Sequence, residues 1–311
     1  MKVVVTGGAG FIGSHVVESL LRDGHDVSVV DDLSTGQLSN LPPGVPLVRL
    51  DISGRRAADV VRGLRPDAVV HGAAQASVAG SARDPVRDAM VNIIGSLNVA
   101  SGAIAAGAHR FLYLNTGGAL YGNARRWPTP ESAAVRPLSP YGLSKWSVEA
   151  YLRLLAPRPR WWTSLRLANV YGPRQRPDGE AGVVSVFCDR MLSGLPVDIH
   201  GDGEQTRDFV YVGDVADAVS KALVAPRTAV VNIGTGTGTS INVLYEAIAR
   251  QARVRGKTVH TLARQGDVRR SILDPGRASQ TIGWIPTTTL DRGLEQTVEW
   301  HRARGTRSDP A

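Results

Sequence analysis

Residues 3–13, Val3-Val4-Val5-Thr6-Gly7-Gly8-Ala9-Gly10-Phe11-Ile12-Gly13, constrain this chain more than any other stretch. A run of strand-type residues enters a glycine turn, and an apolar pattern at helical spacing (Ile12, Val16, Val17, Leu20, Leu21) follows at once. A strand, a tight turn and a helix in immediate succession give a glycine pattern its meaning. Gly7 permits the turn, Gly10 lets backbone approach a pyrophosphate, and Gly13 lets the helix pack close to the strand. The helix N-terminus offers free N–H groups and a partial positive charge to phosphates. The spacing is G-x-x-G-x-x-G, and it predicts dinucleotide binding.

The second strand, Asp26 to Val30, ends at Asp31-Asp32, and Asp31 lies 18 residues beyond Gly13. A carboxylate there accepts hydrogen bonds from an adenosine ribose and repels a 2′-phosphate, which favours NAD over NADP. Further strands are expected at Val45–Leu50, Asp67–Val70, Phe111–Leu114 and Trp161–Leu167, with helices at 57–64, 85–107 and from Tyr141 onward. Strands alternating with helices predict a parallel, doubly wound α/β sheet. Asp31, Asp51, Ala73 and Thr116 all fall at strand ends, where ligands of such sheets lie. His71 reads as a structural histidine, and Cys188 as a packed thiol.

Composition narrows the class. The 311-residue chain carries a formal charge of +8, and only four of its 36 basic residues are lysine. Arginine suits forked contacts to phosphate. The arginines are scattered, without a basic run or interleaved aromatics, so nucleic acid is not expected as a partner. One cysteine allows no internal disulfide. No signal peptide is read at the N-terminus and no apolar run of membrane-spanning length is seen, so a cytoplasmic protein without a membrane partner is expected. No metal site is expected.

Tyr141 and Lys145 are four residues apart on one helix and share a face. A phenol with a pKa of ~10 is a poor base at neutral pH, and a neighbouring ammonium favours the phenolate. An oxidised nicotinamide would add positive charge. Such a phenolate can take a proton from a hydroxyl whose carbon loses hydride.

The ordered series of glycine turn, Asp51-Ile52, His71-Gly72-Ala73-Ala74-Gln75, Asn92, Thr116, Tyr141 and Lys145 resembles the extended short-chain dehydrogenases. Within them it resembles the NAD-dependent nucleotide-sugar epimerase/dehydratase family, most of all its UDP-glucose (or UDP-glucuronate) 4-epimerase branch. The resemblance implies a Rossmann sheet with a smaller, interleaved C-terminal substrate domain. The implied cofactor side is Gly7, Gly10, Phe11, Ile12, Gly13, Asp31, Asp32, Asp51, Ile52, Ala73, Ala74, Gln75 and Asn92, with Tyr141 and Lys145. Catalysis is expected from Tyr141, Lys145 and Thr116. The UDP-sugar is expected to meet Thr116, Gly117, Gly118, Tyr141, Asn169, Val184 (or Val183), Asp198, His200, Arg207, Arg264 and Asp267, with Arg269 a further candidate.

Sugar 4,6-dehydratases and uronate decarboxylases of this kind resemble Thr-Asp-Glu or Thr-Ser-Glu where this chain has Thr116-Gly117-Gly118. Without a carboxylate there, 4-epimerisation is favoured over dehydration or decarboxylation. Many epimerases place a serine in the column of Gly117, so the hydroxyl role falls to Thr116. A UDP-glucuronate substrate remains open, with Arg174, Arg176 or Arg190 as carboxylate readers, and so does a non-catalytic NAD-binding sensor. Residues 1–168 plus about 208–238 are expected to form the NAD domain. About 169–207 and 239–304 would form the substrate domain, and 305–311 a tail. The resemblance also implies a homodimer through helices near 86–107 and 140–156.

Overall fold

The computed structural model describes residues 1–158, 161–177, 182–254, 256–263 and 268–305. Its centre is a seven-stranded sheet in which every pairing is parallel. The strands are β1 (Lys2–Thr6), β2 (Asp26–Asp31), β3 (Leu47–Arg49), β4 (Ala68–His71), β5 (Arg110–Thr116), β6 (Trp162–Leu167) and a last strand, Ala229–Ile233. Their spatial order is Ala229–Ile233, β6, β5, β4, β1, β2, β3. The chain therefore leaves β1 towards one edge and returns to lay β4 on its other side. The crevice outside β1 and β4 is the point where strand order reverses, and there such sheets bind ligands.

A parallel sheet must be covered on both faces, so its strands are near-continuous apolar runs. Val3, Val4 and Val5 are all fully buried. On one face, Val16, Val17 and Leu20 of helix α1 (Phe11–Arg22) join Val215 and Val219 of helix Val212–Val224, and Trp284. On the other, Val61, Val99, Ala103, Phe111, Val148 and Trp161 form a second cluster. A third cluster, with Phe187, Cys188, Leu244, Ile248 and Leu294, holds together the helices Val183–Leu192, Ile241–Ala252 and Leu290–Gly305. Cys188 is fully enclosed there, and burial pushes its thiol up to about 12, as a packed cysteine requires.

Several elements stand where the sequence places them. Helix α2 covers Ala57–Leu64, and the Ser240 side chain caps the helix from Ile241 by accepting from the Val243 N–H. Others differ. The third strand is only Leu47–Arg49, because Pro46 has no N–H to give and offers its carbonyl to Val29 instead. A short helix, Val78–Arg83, capped by Ser77, precedes Pro85 and has no counterpart in the sequence reading.

The helix from Pro85 runs to Ala105 and contains a π-helical turn at Met90–Gly95. By length and composition alone this 21-residue helix would reach across a membrane, its most apolar 18-residue stretch having a mean hydropathy of 1.2, although it contains no unbroken apolar run of that length. Counting unbroken apolar residues overlooks it, because Asn92, Ser96 and Asn98 interrupt the run. In the fold it covers one face of the sheet. Gly102 lies against α2 so closely that a Cβ would stand 2.5 Å from the Ala58 carbonyl.

Candidate active site

The nucleotide turn has the geometry its glycines imply. Gly7 has φ +71°, and a Cβ there would sit 2.7 Å from the Ala73 N. A Cβ on Gly13 would collide with the Gly7 carbonyl. Gly10 is the N-cap of α1, no side chain caps that end, and no acidic residue occupies the first turn, so its N–H groups and dipole are available to an anion. Phe11 and Ile12 open the helix.

At the end of β2, Asp31 is buried and accepts from the Ala9 and Leu33 N–H groups, both at 2.9 Å. Burial raises its pKa and these two bonds oppose the rise. Each oxygen keeps a lone pair for a ribose hydroxyl. Asp32 is exposed and holds the Ser34 turn at 2.6 and 2.9 Å. Asp51 does the same for Ser53. Ile52 is buried under Gly95, so its side chain serves packing. The residues present fit a dinucleotide.

After β4, Gln75 and Asn92 pair reciprocally. The Gln75 N–H donates to Asn92 Oδ1 and Asn92 Nδ2 to the Gln75 carbonyl, each at 2.9 Å. His71 sits between Thr6 Oγ1 at 2.6 Å and Ser96 Oγ at 2.8 Å, stacked on Tyr113. Burial, aided by the Lys145 charge, lowers it to about 3, so it is neutral and structural.

The helix Pro140–Leu155 starts at Ser139, whose side chain accepts from the Gly142 N–H at 3.1 Å. The Tyr141 N–H donates to Ser81 Oγ at 3.1 Å. Lys145 is buried, donates to the Leu114 carbonyl at 2.8 Å, and lies 4.3 Å from the Tyr113 ring centroid. Thr116 accepts from the Ala119 N–H at 3.2 Å, and its hydroxyl beside the Tyr141 phenol favours the phenolate. Thr116, Tyr141 and Lys145 are thus brought together.

Their electrostatics correct one expectation. Burial pushes Tyr141 up to about 12, the negative Asp88 adds to this, and Thr116 opposes it. Burial lowers Lys145 to about 7 and Asp88 opposes that. The protein alone therefore does not make the phenol acidic. Desolvation dominates the phenol, and Lys145, itself lowered by burial, does not offset it.

The sugar side converges at Gly118. A Cβ there would lie 3.7 Å from Asn169 Oδ1, 3.9 Å from Ser271 Oγ and 4.0 Å from Thr116 Oγ1. A Cβ on Gly117 would run into the Leu273 side chain. Asn169 begins the strand Asn169–Tyr171, which pairs with Phe209–Tyr211. Arg207 lies on the central strand of a three-stranded sheet, beside Arg270–Ser271.

Other expected contacts fall elsewhere. Val184 is buried in the third apolar cluster, while Val183 is partly accessible, so Val183 is the better of the two for lining a pocket. Asp198 is exposed and 3.7 Å from Arg190. His200 bonds Thr261 Oγ1 at 2.8 Å. Arg269 is committed to Asp202 through two bonds of 2.7 and 2.9 Å. Arg174 is paired with Glu18, and Arg190 reaches the Pro196 carbonyl at 2.5 Å, so neither is poised for a substrate carboxylate. Arg264 and Asp267 lie outside the described residues, as does the tail beyond 305.

Sequence reasoning misses Asp88, Ser271 and a buried pair behind the helix. Arg166 meets Glu149 through two bonds, 2.6 and 3.0 Å, and donates to the Tyr121 hydroxyl at 2.7 Å. Asn115 and Ser164 also donate to Glu149, at 2.9 and 2.8 Å.

A doubly wound sheet with a phosphate turn at β1 and a Tyr–Lys pair beyond β5 defines a dinucleotide-dependent redox site of the short-chain dehydrogenase type. The profile of the NAD dependent epimerase/dehydratase family matches residues 3–234, and the chain belongs to that family. It is 40% identical over 299 residues to a putative UDP-glucose 4-epimerase of Methanocaldococcus jannaschii, covering 96% of this chain and 97% of the relative. It is also similar to the crystal structure of UDP-glucose 4-epimerase from Thermotoga maritima with UDP-glucose. The TM-score there is 0.95 at 46% identity, with 98% and 99% of the two chains covered. UDP-glucose 4-epimerase from Thermus thermophilus, in complex with NAD, gives 0.92 at 42% identity, covering 97% and 99%.

Proposed function

We propose that the protein inverts C4 of a UDP-hexose, UDP-glucose to UDP-galactose first among the candidates, using NAD. The observation that carries this reading is the meeting of Thr116, Tyr141 and Lys145 at the end of β5, with Lys145 Nζ held on the Leu114 carbonyl at 2.8 Å and no carboxylate at Gly117-Gly118. NAD, held at the β1 glycine turn and Asp31, would supply the hydride acceptor and donor for C4. Tyr141 takes the proton of the 4-hydroxyl and later gives it back. Thr116 donates to the oxygen that carries charge, and Lys145 supplies the ammonium below it. Asn169 and Arg207, with Arg264 and Asp267, are assigned to the UDP portion, so the 4-keto sugar can turn about its phosphate bonds while anchored. Gly118 leaves the ring room, and the absence of an acid–base pair at Gly117-Gly118 argues against water elimination.

The engagement of Arg174 and Arg190 elsewhere supports a neutral hexose over a uronate. The same reading makes the protein a cytoplasmic homodimer. Support for the dimer is the exposure of Val86, Met90 and Ile94 on one helix and of Leu143, Trp146 and Leu154 on the other. The division into an NAD part, 1–168 with about 208–238, and a substrate part made of the remainder is proposed likewise. The third apolar cluster supports it, although Ala278, Ile282 and Trp284 of the substrate part pack in the cluster of the sheet. Proton NMR of the protein with UDP-glucose and with UDP-glucuronate, separately, tests the reading. Appearance of the axial 4-epimer supports it and names the substrate. A 6-deoxy-4-keto sugar, a pentose, or no turnover with either would overturn it.

A further inference from the structure

Asp88 is a charged side chain that the mechanism above does not use. It stands on the first turn after Pro85 and is 1% exposed. The groups that hold it are neutral. Its Oδ1 accepts from Asn92 Nδ2 at 2.8 Å and from Gln75 Nε2 at 3.2 Å, and the same Asn92 Nδ2 reaches Ser144 Oγ at 3.3 Å. Asn92 and Gln75 belong to the cofactor-side loop pair. Ser144 is the residue before Lys145, and its Oγ also lies 2.9 Å from the Tyr141 carbonyl. The carboxylate is therefore fixed at the joint between the nucleotide loop and the catalytic helix. Asp88 and Ser144 also line a cleft of about 490 Å³ with Pro85, Ala89, Ile93 and Leu143, between the two helices whose outer faces are proposed above as the dimer surface.

The charges around it are few. Lys145 and Tyr141 from the catalytic helix and Tyr113 from β5 feel its field. Arg83 is the ionisable residue of the short helix beside it, Asp84 and Arg87 flank it on its own side, and residues 90–95 carry none.

We propose that Asp88 is the built-in counter-ion of the Tyr141–Lys145 pair, a positioning residue that sets the pH range in which the pair exchanges its proton. A fixed anion raises the proton affinity of every group near it. It keeps Lys145 charged in a site whose burial discharges it, and it holds the proton on Tyr141 until the positive cofactor arrives. The inference rests on the reading of Tyr141 and Lys145 as the proton-handling pair.

Asp88→Asn keeps the acceptor oxygen for Asn92 and Gln75 and removes the charge. The acid limb of the kcat/KM profile should move to lower pH by about 1 unit. Asp88→Glu should return it towards the wild type. Ultraviolet difference titration of Asp88→Asn against Asp88→Asn/Tyr141→Phe, without substrate, should show the phenol ionising at lower pH than in the wild type. That readout stands even if the sugar assigned above is wrong. A variant with lower kcat but unmoved pH profile and phenol titration would reduce Asp88 to a structural role and overturn the proposal. Should Asp88→Asn not fold, carbon NMR of aspartate-labelled enzyme decides. Lys145→Met must raise the titration of Asp88, and an unchanged titration refutes the pairing.

Discussion

Thr116→Ala tests the chemistry at its centre. The substitution removes one hydroxyl, which accepts from the Ala119 N–H at 3.2 Å and, in the chemistry proposed, donates to the Tyr141 phenolate as it forms. The first bond is neutral and worth about 1 kcal/mol to the fold. The second strengthens as the phenol ionises, and a hydrogen bond to a charged group contributes about 1.5–3 kcal/mol. Its loss should raise the phenol further above its already elevated value. Since 1.36 kcal/mol is roughly one pKa unit, the acid limb should move up by about 1–2 pH units. At neutral pH, kcat should fall about 10- to 100-fold with KM little changed, because the bond forms fully only when charge develops. Thr116→Ser keeps the hydroxyl and should retain most of the rate. The assay is epimer formation across a pH series, with Tm recorded for each variant. A Thr116→Ala enzyme with wild-type kcat and an unmoved acid limb would refute the assignment. Its shift must also run opposite to that of Asp88→Asn.

Three further outcomes follow from the same geometry. Glu149→Leu leaves the buried Arg166 guanidinium without its carboxylate and should cost about 3–5 kcal/mol, whereas Glu149→Leu/Arg166→Met should recover most of it by denaturant titration. Lys145 is depressed in the fold below its unfolded value, so its burial penalty is full below about 7 and fades as pH rises towards the ordinary lysine value. Lys145→Met should therefore abolish turnover yet raise the Tm of the cofactor-free protein, most at low pH and not at all near pH ~10.4. Gly117→Ser, which restores the serine common at that column, should lower stability and rate because its Cβ meets Leu273, and Leu273→Ala should relieve it. A stable, fully active Gly117→Ser would show that Leu273 yields freely.

The parts legible in the sequence are those fixed locally. The glycine turn, α2, the Ser240 cap and the Tyr141–Lys145 spacing depend on neighbours within a few residues, and each is where the pattern puts it. The shortened β3 escapes such a reading because Pro46 acts through an inter-strand bond that no single segment displays. Asp88 escapes it because Asp84-Pro85-Val86-Arg87-Asp88 reads as the solvated start of a helix. Only the packing of two other helices makes that carboxylate buried. The Glu149–Arg166 pair hides for a similar reason, since one partner is on a helix and the other on the next strand. The acidity expected of Tyr141 includes the charge of the nicotinamide, and in the cofactor-free site burial raises the phenol instead. Spacing shows that a lysine is near, and says nothing of how little water reaches either group.

Ser19 on α1 touches Ser220, 201 residues later, at 3.1 Å. The oily flank of the first helix therefore waits for nearly two hundred residues of synthesis before the helix that shields it exists. A shortened chain ending near residue 168 would keep the nucleotide turn and expose Val16, Val17 and Leu20. The nucleotide-binding half is therefore not a portable module, because its first helix is completed only by a segment made some two hundred residues later.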